Sequence, residues 1–291
     1  IVGSSCNLCH NIDWELYCRK ESIDVVRCTQ CGLVYVPDIK NESDLEKHYS
    51  QDYFEPYLKE EKTHLNKRFN KSIKELKKIQ FPGALLDIGC GIGSFLNLAG
   101  QSGYKVKGVE LSKYAAAYAG NNFGLDVFNG KLEDADYSPE TFDIITLWHI
   151  LEHVTDPREF LLKVNGLLKK NGVVGMEIPN IGSIAARISG VSWELMSPKE
   201  HFFYFNPDII KRLLRETGFS IIKAQSYLWT TPEMVLRAKA ESARGYKKCI
   251  MKILSFACWG FSVLRFRTLP RVVQGDVMAI YARKSRDLQD K

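Results

Sequence analysis

Residues 84 to 96 read Ala-Leu-Leu-Asp-Ile-Gly-Cys-Gly-Ile-Gly-Ser-Phe-Leu, the stretch whose residue types are best suited to hold a small ligand. The apolar run before the first glycine is the mark of a strand buried on both faces. Gly89, Gly91 and Gly93 let the backbone turn tightly and let a ligand approach with no Cβ in the way. The spacing is Gly-x-Gly-x-Gly; a dinucleotide fingerprint would need glycine at position 94, which is Ser94. Asp87 precedes the first glycine, and a carboxylate there opposes a pyrophosphate but suits an ammonium group. The run Val106 to Leu111 reads as a second strand with Glu110 at its end, where an acid accepts hydrogen bonds from ribose hydroxyls. A nucleoside with a charged amino-acid arm fits these residues better than a dinucleotide.

A second set of residues could bind metal. Cys6-x-x-Cys9 and Cys28-x-x-Cys31 are separated by 18 residues, within the window of a four-cysteine zinc site. Gly32 follows the second pair, where a left-handed residue is expected, and strand-like Val25–Arg27 and Leu33–Val36 flank it. This pattern predicts a zinc ribbon over residues 1–37, with the metal supplying folding energy to a segment poor in large apolar residues. Four thiolates leave no open position, so the zinc would be structural. Two disulfides are the alternative, but nothing in the sequence points to an oxidising compartment. Cys18, Cys90, Cys249 and Cys258 are isolated.

These groups need elements to position them. From residue 84 the pattern alternates strand and helix: strands at 84–88, 105–111, 126–129, 142–147, 173–178, 220–226 and 275–283. Ser94–Ser102 is the first helix between them; Ser112 caps the next, which stops at Gly124. Asp156 and Pro157 open a helix expected to end at Gly172, and Asn206-Pro207 open one expected to end at Gly218. This order predicts an α/β, Rossmann-like fold: a seven-stranded, mostly parallel sheet with helices on both faces, over residues 81–291. Residues 38–80 form a helical linker, with helices at Glu42–His48 and Lys59–Ile79 around an aromatic cluster at Tyr49–Phe54. A helical insertion at 229–271 separates the last two strands.

The sequence resembles the class I S-adenosylmethionine-dependent methyltransferases. The residues that carry the resemblance are Leu86-Asp87-Ile88-Gly89-Cys90-Gly91-Ile92-Gly93, Glu110, Phe142-Asp143-Ile144-Ile145 and Leu151-Glu152-His153-Val154-Thr155-Asp156-Pro157. The ribbon, the Tyr-rich segment and the Asp-Ile-Gly-Cys-Gly turn, in that order, resemble a subgroup of surface-glycan enzymes that includes sugar C-methyltransferases. The resemblance implies S-adenosyl-L-methionine as cofactor, an antiparallel seventh strand, and a sugar or sugar-nucleotide acceptor. It implies that Gly89, Cys90, Gly91 and Gly93 contact the amino-acid arm and ribose, that Asp87 sits near the ammonium, and that Glu110 and Leu111 meet the ribose. It places Leu132 as an apolar wall for adenine, although many relatives carry an acid where Lys131 stands, and sets Trp148 and His149 toward the methyl group.

On the acceptor side, His149, His153 and His201 follow carboxyl ends of strands or lie in loops near them, where ligands bind in such sheets. A histidine near its ordinary pKa of about 6.5 is a natural base. His153 also fits a structural role at a helix entrance. His201 closes the segment Trp193-Glu194-Leu195-Met196-Ser197-Pro198-Lys199-Glu200-His201, which resembles the subgroup's substrate loop. Tyr49 and Tyr53 either close over cofactor or substrate, or staple the ribbon to the main domain.

Charge separates the remaining options. The chain of 291 residues carries a net charge of +6, yet residues 229–291 hold 13 Lys/Arg against 5 Asp/Glu, so the rest is slightly acidic. An RNA methyltransferase would use the ribbon and basic tail to grip phosphates, but Arg19, Lys20 and Arg27 in the ribbon are offset by Asp13, Glu15, Glu21 and Asp24. No Asn-Pro-Pro-Tyr-type motif follows the fourth strand either. A non-catalytic scaffold is disfavoured by the intact Asp87, glycines and Glu110. No signal peptide and no apolar run of about 20 residues is present, so a cytoplasmic protein is expected. Ile250–Leu264, flanked by Lys247, Lys248, Arg265, Arg267 and Arg271, suits peripheral membrane contact, a dimer helix or a helix covering the sheet.

Overall fold

Short apolar runs alternating with amphipathic segments produce two sheets in the computed structural model, which describes residues 5–39, 53–55, 64–227 and 275–285. The larger sheet has seven strands: β4 (Ala84–Ile88), β5 (Lys105–Glu110), β6 (Val127–Asn129), β7 (Phe142–Trp148), β8 (Leu168–Pro179), β10 (Phe219–Tyr227) and β11 (Val277–Lys284). Their order is β10-β11-β8-β7-β4-β5-β6. β4 pairs in parallel with β5 on one side and β7 on the other, and the parallel ladder continues to β6 and β8. The chain enters at β4, steps outward to β5 and β6, then returns to β7 on the other side of β4. That reversal opens a crevice at the carboxyl ends of β4, β5 and β7, the place where open α/β sheets bind ligands.

The helices follow from their caps and apolar faces. They are α1 (His64–Ile79), α2 (Ser94–Gln101), α3 (Lys113–Phe123), α4 (Pro157–Leu167), α5 (Ile184–Ser189) and α6 (Pro207–Glu216). The Ser112 hydroxyl accepts from Ala115 N at the start of α3, and Gly124 ends it with φ 65°. Asp156 accepts from Glu159 N at the start of α4, with Pro157 in the first turn. Helix α4 ends five residues before the expected Gly172. Leu168 is fully buried and pairs with Phe142, so the chain is already extended there. The register then jumps to Ile144 opposite Val173, which leaves Lys169, Lys170 and Asn171 as an exposed irregularity with Asn171 at φ 64°.

The second sheet is antiparallel, in the order β1 (Trp14–Lys20), β2 (Ile23–Cys28), β3 (Val34–Tyr35), β9 (Phe203–Tyr204). The chain's contacts divide into two units. One holds the described residues of Ile39–Glu177, Leu213–Lys223 and Ile280–Lys291, with a core that includes Leu76, Leu85, Leu96, Ile144 and Tyr281. The other holds those of Ile1–Asp38, Ile178–Arg212 and Ala224–Ala279, with a core that includes Val25, Val34, Val36, Trp193, Met196 and Tyr204. No helix among the described residues is long and apolar enough to cross a membrane. The expected helix at 42–48, Tyr49 and the basic apolar stretch at 247–271 lie outside the described residues.

Candidate functional site

The glycine turn between β4 and α2 is shaped by sterics. Gly89, Gly91 and Gly93 all lie in the left-handed region, at φ 69°, 53° and 86°. A Cβ on Gly89 would stand 2.0 Å from Ile150 Cδ1, and one on Gly93 would stand 2.8 Å from Ala119 Cβ. The turn therefore packs backbone directly against its neighbours, and its amides are tied down: Gly89 N donates to Val109 O at 2.7 Å and Gly93 N to Cys90 O at 3.0 Å. Gly91 N donates to Glu110 Oε2 at 2.8 Å, and Ser112 N donates to Glu110 Oε1 at 2.8 Å. One carboxylate thus ties the first turn to the end of β5, at the mouth of the crevice. Glu110 is 6% exposed, and burial raises its pKa above the ordinary carboxylate value. Asn129 Nδ2 donates to the carbonyls of Glu110 and Leu111 at 2.9 Å each, fixing the chain beyond Glu110. Sequence reading passed over Asn129, because a lone asparagine at a strand end carries no pattern.

Asp87 lies one strand over and is 1% exposed. Thr146 is its neighbour across the β4–β7 ladder, and the Thr146 hydroxyl donates to Asp87 Oδ1 at 2.6 Å. Burial pushes the Asp87 carboxyl up to about 8; the Thr146 hydrogen bond pulls the other way, and the Glu110 charge adds to the rise. Two carboxyls in one buried crevice suit a cationic partner. The Cys90 side chain points inward: it is 8% exposed, and a Cβ on Gly108 would stand 2.7 Å from its sulfur. Burial raises the Cys90 thiol well above its ordinary value, so it is a packing residue as a thiol. Its backbone N donates to Val109 O at 3.2 Å.

At the carboxyl end of β7, Trp148 is buried edge-on against Phe95, with ring centroids 5.0 Å apart. Its indole N–H has no partner among the described residues. His149 follows with φ 59°, a left-handed conformation uncommon for a side-chain-bearing residue. Its backbone N donates to Glu177 O at 2.9 Å, and its Nδ1 lies 3.1 Å from Glu152 Oε1. Arg68 from α1 reaches Glu177, Nε to Oε2 3.4 Å. Burial, with the Arg68 charge, pushes His149 down to about 4. The imidazole is therefore neutral near pH 7. Arg68, Glu152 and Glu177 were not anticipated as members of this group; only the tertiary fold brings α1 and β8 to the end of β7. His153 sits one turn on, its backbone N donating to Ile150 O at 2.9 Å.

Aromatic residues close one side of the turn. Phe54 is buried with Ile92 and Ala115, and its ring is the nearest group to the space above Gly91, 3.5 Å from where a Cβ on Gly91 would stand. Tyr53 packs edge-on to Phe54 at 5.1 Å between centroids. Of this pair, Phe54 is the one in contact distance of the turn, and Tyr53 lies on its flank. Leu132 is buried, 3% exposed, just after β6, and Leu111 is half-buried after β5.

The other unit carries the cysteines. The four sulfurs of Cys6, Cys9, Cys28 and Cys31 lie within 4.8 Å of one another, with Cys6–Cys31 and Cys9–Cys28 at 3.5 Å. These separations are far beyond a disulfide bond of about 2.05 Å. They approach the spacing of about 3.8 Å that tetrahedral Zn–S bonds of about 2.3 Å impose. The donor set fits a structural thiolate metal. The same unit holds Trp193, 1% exposed, and His201, whose Nδ1 lies 2.8 Å from Leu195 O and whose ring packs against Tyr204.

A family model described as a methyltransferase domain matches residues 59–224. The mitochondrial ubiquinone biosynthesis O-methyltransferase of Schizosaccharomyces pombe is 38% identical over 95 residues, 30% of this chain and 35% of that protein. The ubiquinone biosynthesis O-methyltransferase of Cereibacter sphaeroides is 29% identical over 147 residues, 46% of this chain and 59% of that protein. The chain thus spans between about a third and three fifths of the length of these curated relatives. Among solved structures, a SAM-dependent methyltransferase, possible histamine N-methyltransferase, from Thermotoga maritima has a TM-score of 0.53 at 20% identity, covering 80% of this chain and 98% of that one. Phosphoethanolamine N-methyltransferase 2 of Haemonchus contortus, in complex with phosphomonomethylethanolamine and S-adenosylhomocysteine, has a TM-score of 0.51 at 17% identity, covering 76% of this chain and 53% of that one. At these identities the likeness to both structures is one of fold.

Proposed function

Since the chain belongs to the methyltransferase-domain family, we propose that it is an S-adenosylmethionine-dependent methyltransferase acting on a small-molecule or glycan acceptor, specifically a sugar or sugar nucleotide. The observation that carries the cofactor reading is Glu110, a buried carboxylate bridging Gly91 N and Ser112 N at the reversal of strand order. Bound S-adenosylmethionine would supply an activated methyl group on its sulfonium. Glu110 would offer its remaining lone pairs to the ribose hydroxyls, and Asp87 would face the ammonium. Leu132 would wall the adenine, and Phe54 and Tyr53 would shield the amino-acid arm from water. His149, with a proton on Nδ1 held toward Glu152, presents the Nε2 lone pair as the base for the acceptor's proton. His153 and His201 are assigned to holding their own loops.

The sugar assignment is supported by the order of ribbon, Tyr-rich segment and Trp193-to-His201 segment. A small acceptor is supported by the curated relatives' names, which place them in ubiquinone biosynthesis. The four-cysteine cluster is assigned to structural zinc, on its sulfur spacing. Incubation with methyl-labelled donor and a panel of nucleotide sugars, free glycans, phenols and RNA tests the acceptor. Label should appear on a nucleotide sugar or glycan; label on RNA alone or on phenols alone overturns the assignment.

A further inference from the structure

The ribbon shares a buried apolar cluster with a later segment of the chain. Val25, Val34 and Val36 share one buried cluster with Ile181, Ala186, Trp193, Met196 and Tyr204. Strand β3 is two residues long, and its free edge pairs with β9: Val34 lies opposite Tyr204 and Tyr35 opposite Phe203. Val36 N donates to Phe202 O at 2.9 Å, one residue after His201. The other end of the same segment is also tied down. Lys20 Nζ donates to Met196 O at 2.6 Å, and Lys199 pairs with Glu21 at 2.8 Å. Trp193 through Tyr204 is thus held at both ends by the strands that flank the cysteine turns. Within it, the Leu195 carbonyl fixes the His201 ring.

The metal ligands sit close to these ties in the chain. Cys28 ends β2, Cys31 lies three residues before β3, and the turn between them closes through Cys28 N to Leu33 O at 2.9 Å and Gly32 N to Cys28 O at 3.0 Å. A two-residue ladder and a cluster half-built from the ribbon lose their partner surface if that turn opens. We propose that the four-cysteine site is the clamp that sets the shape of the Trp193–Tyr204 segment, so metal binding and the order of that segment form one equilibrium. This rests on the assignment of the cysteines to structural zinc made above, and it adds Lys20 as a positioning residue. Bound zinc would hold β2 and β3, and β3 pairs on to β9.

Amide hydrogen exchange on the full chain, with zinc content measured in parallel, tests the coupling. Stripping the metal with a chelator should speed exchange about tenfold or more at residues 25–36 and at 202–205 together, and leave 84–110 protected. Lys20→Met should keep its zinc while loosening residues 193–201, which separates the tie from the metal. Faster exchange confined to 25–36 overturns the proposal, because the segment would then hold its shape alone. An equal rise at 84–110 overturns it too, because the metal would then support the whole molecule. A protein that purifies without metal and ignores the chelator overturns it as well. S-adenosylhomocysteine binding by the metal-loaded protein is measured separately; its loss would sink the methyltransferase reading and leave the clamp standing.

Discussion

Asp87 is buried and the His149 side chain is half-buried, 22% exposed, and desolvation moves them in opposite directions: the acid up to about 8, the imidazole down to about 4. An ammonium-bearing ligand needs Asp87 ionised, so affinity for S-adenosylhomocysteine should rise as pH rises from 6 through about 8, and Asp87→Asn should flatten that profile; titration calorimetry at several pH values reads both. His149 is neutral across this range, the form a general base must have. His149→Asn tolerates the left-handed backbone and removes the base, so kcat should fall roughly 10²- to 10⁴-fold with cofactor-analogue affinity little changed. A kcat within a few-fold of the parent would move the base elsewhere. The places of Asp87, Glu110 and His149 are legible in the sequence because each stands at or next to the end of an apolar run. Thr146, Asn129, Arg68 and Phe54 are not. Each acts on a residue from another element: Thr146 on Asp87 and Asn129 on the end of β5. Arg68 likewise reaches Glu177, and Phe54 packs on Ile92.

The turn after β4 is a backbone device, and its test belongs to stability. Gly89→Ala would force a Cβ into Ile150 at 2.0 Å and strain φ 69°, so it should cost about 2 kcal/mol or more, read as a lower urea midpoint. A neutral substitution would mean that the turn can relax. The strands of the large sheet and the caps at Ser112, Asp156 and Asn206 follow the local pattern closely, because buried parallel strands and capped helices write their limits in adjacent residues. The expected helix end at Gly172 was too late, because the buried Leu168 takes the chain into the sheet before the exposed Lys169–Asn171. Strands β1 and β9 were unreadable for another reason: β1 exposes Trp14 and Leu16, and β9 is two residues that exist only because β3 pairs with them.

At the scale of the whole molecule, the half-buried His149 links site to stability. Its folded pKa lies below its unfolded value of about 6.5, so the stability it contributes is present above pH 6.5 and is lost as pH falls toward 4. Asp87 has the opposite sign, since its folded pKa is raised and its burial destabilises increasingly as pH rises from about 4 to 8. The stability gap between the parent and His149→Asn should therefore shrink between pH 7 and pH 4.5 in urea melts; a constant gap would mean that His149 titrates normally. The proposed activity needs a pocket for a sulfonium nucleoside at the reversal of strand order, closed by Glu110. Calorimetry with S-adenosylhomocysteine tests it most directly. The parent chain should bind, and a cooperatively folded Glu110→Ala variant should bind about tenfold or more weakly. Absence of binding by the parent, or undiminished binding by the variant, would contradict it.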